Sequence, residues 1–93
     1  MYDDGVDIEF DPAKADANYR KHGVSFAEAA TALLDEQALA YEDGQAEGEA
    51  RWKLLGMSAQ GRLLTVVYTL RGENLRLISA RKATAKEETG HVR

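Results

Sequence analysis

At 93 residues, with 44% hydrophobic and 30% charged side chains, the chain has the composition of one folded globular domain over residues 1–93 and is too short for two cores. It contains no cysteine, which excludes disulfide frameworks, thiolate metal sites and cysteine nucleophiles together. The net charge of −4 conceals a partition, since residues 1–50 hold three Lys/Arg against thirteen Asp/Glu and residues 51–93 hold nine against three, so a face for anionic ligands belongs to the second half.

The predicted elements begin with a short strand over residues 6–10, where Val6, Ile8 and Phe10 alternate with acidic residues. Asp11-Pro12 then starts a helix: Asp11 caps free amides, and Pro12 occupies the first helical position, where its missing N–H costs nothing. Gly23 ends this helix after His22 by taking a left-handed conformation. Ser25 and Glu28 form a capping box for a second helix, with Val24 as a staple and Phe26, Ala29, Ala30, Leu33 and Leu34 as its apolar stripe.

A short strand over residues 38–42 leads into an acidic, glycine-containing loop over 43–49. Strands over 51–57, 61–70 and 75–80, joined by turns at 58–61 and 71–74, make an antiparallel meander. Thr84 and Glu87 form a second capping box, for a last helix over 85–89. This order predicts an α+β fold: a small antiparallel sheet of three to five strands, two N-terminal helices on one face and a short C-terminal helix, with the other face free as a working surface.

The most informative stretch is residues 76–84, an alternating strand that runs into Arg81-Lys82 and then into the Thr84 cap. Two adjacent cations where a strand gives way to a helix suggest a phosphate ligand on a rigid base. Strict alternation places residues 76, 78, 80 and 82 on one face and Arg81 on the other. Arg51 and Lys53 share a face one strand over, while Arg62, at a turn exit, reads as a surface charge or partner contact. The two histidines lie 69 positions apart and the carboxylates lack ligand spacing, so no metal is expected; no glycine loop matches a nucleotide-binding pattern, so no cofactor is expected either. The acidic start is no secretory signal and the longest nearly apolar run, 63–70, falls far short of the roughly 20 residues that span a bilayer, which predicts a cytoplasmic protein without membrane contact.

Five segments in order resemble the BrnT family of toxins: Phe10-Asp11-Pro12-Ala13-Lys14; Asn18 with Lys21-His22-Gly23-Val24-Ser25-Phe26; residues 49–52; Gly61-Arg62-Leu63-Leu64 with Val67-Tyr68-Thr69; and residues 76–84 followed by Glu87. The resemblance covers nearly the whole chain. It implies a RelE-like fold, metal-independent cleavage of RNA that halts translation, and neutralisation by a BrnA-like ribbon-helix-helix antitoxin, which alone would contact operator DNA.

Such cleavage has a 2′-hydroxyl attack the adjacent phosphorus, and needs a base, cations for the growing phosphoryl charge and an acid for the leaving oxygen. Under this resemblance Arg76, Arg81 and Lys82 are the expected charge stabilisers around the scissile phosphate. His22 is the expected proton carrier, its alternative role being a C-terminal cap on the helix dipole. Arg51, Lys53, Lys86 and His91 are expected substrate contacts, Glu49 an orienting partner for Arg51, a base or a solvated loop acid, and Trp52 and Tyr68 either base-stacking or core residues. The family's last helix is commonly more basic and carries a tyrosine near its end, where this chain has Glu88, Gly90 and His91. That departure leaves open a second reading, a catalytically decayed toxin that binds an antitoxin and tunes repression.

Overall fold

The computed structural model describes residues 7–43 and 50–91, with side chains to Thr89; Val6, Glu49 and the rest of the acidic 44–49 segment lie outside the described residues. In chain order the elements are β1 (Ile8–Glu9), α1 (Pro12–His22), α2 (Phe26–Ala32), β2 (Leu39–Glu42), β3 (Trp52–Met57), β4 (Leu63–Arg71), β5 (Asn74–Lys82) and α3 (Ala85–His91).

The helix punctuation works through the atoms its residue types provide. Asp11 accepts the Ala13 N–H at 2.9 Å, and Gly23, at φ 72°, ends α1 by donating to the Tyr19 carbonyl at 2.8 Å. Ser25 Oγ accepts the Glu28 N–H at 3.0 Å, but the Glu28 carboxylate does not complete the box. It is drawn across the molecule instead, accepting from Arg62 Nε at 2.9 Å, from Arg62 Nη2 and from Ser58 Oγ at 2.7 Å. Arg62 is therefore a structural tie and not the surface charge expected of a turn exit. Its hydrogen bonds hold the Glu28 carboxyl below the usual carboxylate range, against the opposing effect of burial. α2 also ends earlier than its stripe suggests: Leu33 and Leu34 donate to carbonyls three residues back, and Leu34 is 60% exposed.

The sheet order is β1-β5-β4-β3-β2. β2 to β5 form the antiparallel meander, but β1 runs parallel to β5, with Ile8 beside Leu75 and Glu9 beside Arg76, so the sheet is mixed and not purely antiparallel. Alternation over residues 6–10 marks a strand but carries no information about its direction.

A β-bulge decides which side chains share a face. Val67 pairs with Ser79 and Tyr68 with Leu77, leaving Ile78 as the extra residue in β5. Beyond it the parity reverses. Leu64, Val66 and Tyr68 share a face with Lys82, Ala80 and Leu77, and Thr65, Val67 and Thr69 share the other with Arg81, Ser79 and Arg76.

α1 and α2 cover the first of these faces. Val24, Phe26, Ala29 and Ala32 pack against Leu64, Val66, Leu77 and Ala80 in one buried cluster, flanked by Ile8, Tyr68 and Leu75. Each large side chain in it contributes on the order of 1.5–3 kcal/mol, more than the roughly 1 kcal/mol of a helix cap, so packing and not capping holds the seven-residue α2 in place. A Cβ at Gly56 would stand 2.7 Å from the Ala32 carbonyl oxygen, so only glycine lets the end of α2 lie directly on β3. α3 sits on the opposite face, tied to Thr65 and Arg81 through Glu87, so that face is not the free surface the element order suggested.

β1 covers only the start of β5, which leaves the backbone of Ala80 facing outward. The Asn18 side chain of α1 takes the place of a strand there: Oδ1 accepts the Ala80 N–H at 3.1 Å, and Nδ2 donates to the Ala80 carbonyl at 2.9 Å and the Val24 carbonyl at 3.0 Å. Replacing Asn18 by Ala or Leu strands one amide and two carbonyls in a buried setting. The expected cost is about 2–4 kcal/mol, read as a lower urea midpoint at unchanged m-value. A loss below about 0.5 kcal/mol would mean that water takes over the amide's role.

Candidate functional site

Arg51, Thr69 and Arg76 form a row across the side of the sheet opposite α2, the side that also carries α3. Thr69 pairs with Arg76, which pairs with Glu9, and Arg51 stands one residue before the Trp52–Tyr68 pair. Thr69 Oγ1 donates to the Ala50 carbonyl at 2.6 Å, which fixes the strand entry that carries Arg51. Among the described residues, the Nε atoms of both Arg51 and Arg76 are buried without a hydrogen-bond partner; Glu9 reaches Arg76 Nε only as an ion pair at 3.5 Å.

These two arginines line a hollow of about 110 Å³ with Lys14, Arg71, Thr69 and the bulge residue Ile78. A second, wider hollow of about 250 Å³ adjoins it through Lys14 and Ile78 and is lined by Asn18, Lys21, His22 and Ser79. Together they make a groove along the seam between α1 and β5, lined by five Lys/Arg and His22 and, among the described residues, by no carboxylate. Chemically this arrangement suits a phosphodiester: guanidinium groups offer paired donors to phosphoryl oxygens, and an imidazole lies beside them.

Of the expected site residues, the structure brings His22, Arg51 and Arg76 to this groove. Lys53 lies two residues from Arg51 on the same side of the sheet, next to Val67. Arg81 and Lys82 do not join Arg76. The bulge returns Arg81 to Arg76's face, but their partners Thr65 and Thr69 stand four positions apart on β4, about 13 Å along the strand. Lys82 points to the other side, exposed, beside Leu64. Lys86 is exposed on α3, and the side chain of His91 lies outside the described residues. Trp52 and Tyr68 are half-buried on the helix side of the sheet; burial raises the Tyr68 hydroxyl, as expected of a packed ring and not of a stacking platform.

Sequence reasoning passed over Lys14, Lys21 and Arg71 as site residues. Lys14, Asn18 and Lys21 fall at i, i+4 and i+7, a polar stripe on one side of α1 that was legible as a cationic helix edge. Arg71 had no local signal. It enters because the hairpin register sets it opposite Asn74, two pleats from Arg76's neighbour Thr69.

Arg81 belongs to a separate network. Glu87 accepts from Arg81 Nη1 at 2.9 Å and Nη2 at 3.1 Å, from Thr65 Oγ1 at 2.9 Å and from the Thr84 N–H at 2.8 Å, while Thr84 Oγ1 accepts the Glu87 N–H at 3.1 Å. The capping box at Thr84 is thus complete, and the same carboxylate fixes α3 to the sheet.

The model of the ribonuclease toxin BrnT of type II toxin-antitoxin systems matches residues 10–87 of the chain. Among solved structures, the 1.1 Å crystal structure of the Brucella abortus ribonuclease toxin BrnT superposes with a TM-score of 0.67 at 24% identity, covering 85% of this chain and 97% of that one. No curated protein sequence matches.

The Glu87 network has a pH signature. Arg81's hydrogen bonds lower the Glu87 carboxyl from 4.5 to about 2, with Thr84 and Thr65 adding to the effect and burial opposing it. Because the folded value lies below the unfolded one, the stabilisation is complete above the unfolded value and is lost as pH falls from about 4.5 toward 2. Glu87→Gln should cost about 1–2 kcal/mol at about pH 7 and nearly nothing at about pH 2, compared by urea denaturation at the two values. An equal cost at both would place the contribution in packing and not in charge.

Proposed function

Given that the chain belongs to the BrnT family of ribonuclease toxins of type II toxin-antitoxin systems, we propose that it cleaves RNA at the groove between α1 and β5. The observation that carries this reading is the pair of buried Nε atoms on Arg51 and Arg76, which have no hydrogen-bond partner among the described residues, in a hollow whose described lining holds no carboxylate; Glu9, outside that lining, meets Arg76 only as an ion pair at 3.5 Å. An unpaired buried donor costs about 1–3 kcal/mol, which a phosphoryl oxygen placed there would offset.

In this scheme Arg51 and Arg76 hold the non-bridging oxygens of the scissile phosphate and stabilise the charge that grows on them. His22 takes the proton from the 2′-hydroxyl as the 2′-oxygen bonds to phosphorus. The bond from phosphorus to the 5′-oxygen breaks, and the leaving oxygen takes a proton from Lys21 or water. Products are a 2′,3′-cyclic phosphate and a 5′-hydroxyl, with no metal or cofactor used in the scheme. Lys14, shared by both hollows, tracks the adjoining phosphate. The protein acts in the cytoplasm on cellular RNA, in a fold of the RelE type. A BrnA-like ribbon-helix-helix antitoxin neutralises it and carries the contact with operator DNA, for which this acidic chain is poorly charged.

A second reading is favoured by the ion pairs on the catalytic candidates: Arg81 is held by Glu87 and Arg76 faces Glu9. On that reading the chain has lost catalysis and acts as an antitoxin-binding, operon-tuning module.

Single-turnover cleavage of a structured RNA separates the two. Arg51→Ala and Arg76→Ala should each slow cleavage by about 10²- to 10³-fold and His22→Ala by about 10²- to 10⁴-fold, with Lys82→Ala within about twofold of wild type. Arg81→Ala should lower stability more than rate. Wild-type protein that leaves RNA intact, with or without ribosomes, would establish the module instead; loss of cleavage in a folded Arg81→Ala variant with Arg76→Ala unaffected would move the site to α3.

A further inference from the structure

The two edges of the sheet are treated differently. At β5 the outward backbone is occupied, by β1 and then by the Asn18 amide. At β2 it is open: among the described residues no strand lies beyond it, and all four residues are exposed. Asp43 donates its N–H to the Arg51 carbonyl at 2.8 Å, so the alternation of an antiparallel ladder directs Tyr41 and Leu39 inward to Lys53 and Leu55. The N–H and carbonyl groups of Ala40 and Glu42 therefore point outward, one strand spacing from any partner that aligned there. The strand carries no lysine, proline or bulge to blunt its edge, and its one charge is Glu42 at the end. Instead Leu39 and Tyr41 stand 47% and 49% exposed on one side of it.

Charge selects the occupant. Residues 35–49 contain six Asp/Glu and no Lys/Arg, so the segment around β2 repels a polynucleotide. It equally repels its own copy, because pairing β2 with β2 would set Glu42 and the acidic flanks of two chains against each other. A polypeptide strand with lysine or arginine on one side and apolar residues on the other satisfies both the outward amides and the field.

We infer that β2 is the docking edge for an extended, basic segment of the antitoxin, which adds a sixth strand to the sheet by backbone pairing at Ala40 and Glu42 and packs apolar side chains on Leu39 and Tyr41. This rests on the proposed toxin function for the existence of that partner, and goes beyond it in saying where the partner binds. The edge lies three strand spacings, about 14 Å, from β5 and Arg76, and one spacing from Arg51, whose carbonyl accepts the Asp43 N–H. The substitutions below touch none of the groove's lining side chains.

The test uses the full-length chain and its ribbon-helix-helix antitoxin, with affinity measured by calorimetry and hydrogen exchange followed over residues 38–43. Ala40→Pro removes an outward N–H and no rung of the β2–β3 ladder, so folding and RNA cleavage should be unchanged while antitoxin affinity falls at least about tenfold. Glu36→Lys with Glu42→Lys, at exposed positions, should weaken binding similarly and flatten its salt dependence. In the wild-type complex the segment should gain exchange protection. Unchanged affinity in both variants, or no added protection, overturns the inference while leaving the toxin function intact. A dimer of the chain alone that Ala40→Pro dissolves overturns it in favour of a second copy. Failure of the wild-type chain to bind the antitoxin overturns the inference together with the partner, a result the cleavage assay does not share.

Discussion

The contact on which the rest of the molecule depends is one side-chain amide against one peptide unit, Asn18 on Ala80. A sheet edge that is neither paired nor solvated would carry unsatisfied backbone groups, and the parallel β1 is only two residues long. Asn18 solves this with the donor and acceptor geometry of a neighbouring strand, and its remaining N–H reaches Val24 to set the turn between α1 and α2. The helix is thereby fixed in rotation as well as position. Lys14 and Lys21, one turn before and about one turn after Asn18, are left overlooking β5, and His22 follows at the helix end.

Much of the fold was legible because its signals are local. Asp11-Pro12, Gly23, Ser25 and the Thr84–Glu87 pair each act within a few residues, and each does in the structure what its chemistry suggests. What escaped was set by long-range partners. Ser25 and Glu28 look like a closed box, but Arg62, 34 positions away, is a stronger partner for the carboxylate than the neighbouring amide. Strict alternation along β5 separated Arg76 from Arg81, yet a single unpaired Ile78 restores them to one side and sends Lys82 to the other. Nothing in the composition of residues 76–82 marks that bulge, since Ile suits a regular strand as well as an irregular one.

The candidate site divides along the same line. The cationic second half was visible in the charge count, and Arg51 and Arg76 were singled out from it, with His22 added from the first half for its chemistry. Which cations are engaged was not visible, because that depends on where carboxylates arrive in three dimensions. Glu28 takes Arg62, Glu87 takes Arg81, and neither arginine is available to a ligand without breaking a charged hydrogen-bond pair. The helix lysines were overlooked for a different reason: they lie in the acidic half, and only the Asn18 tether carries them to the basic strands.

The length of that tether along the chain has a kinetic meaning. Asn18 and Ala80 are 62 positions apart, and β1 likewise waits for the strand that begins at Asn74. Contacts of such separation are slow to form and cannot exist before the C-terminal quarter of the polypeptide has been synthesised. Most of this chain must therefore be made before the α1–β5 groove can assemble, which puts the groove among the last features of the fold to form.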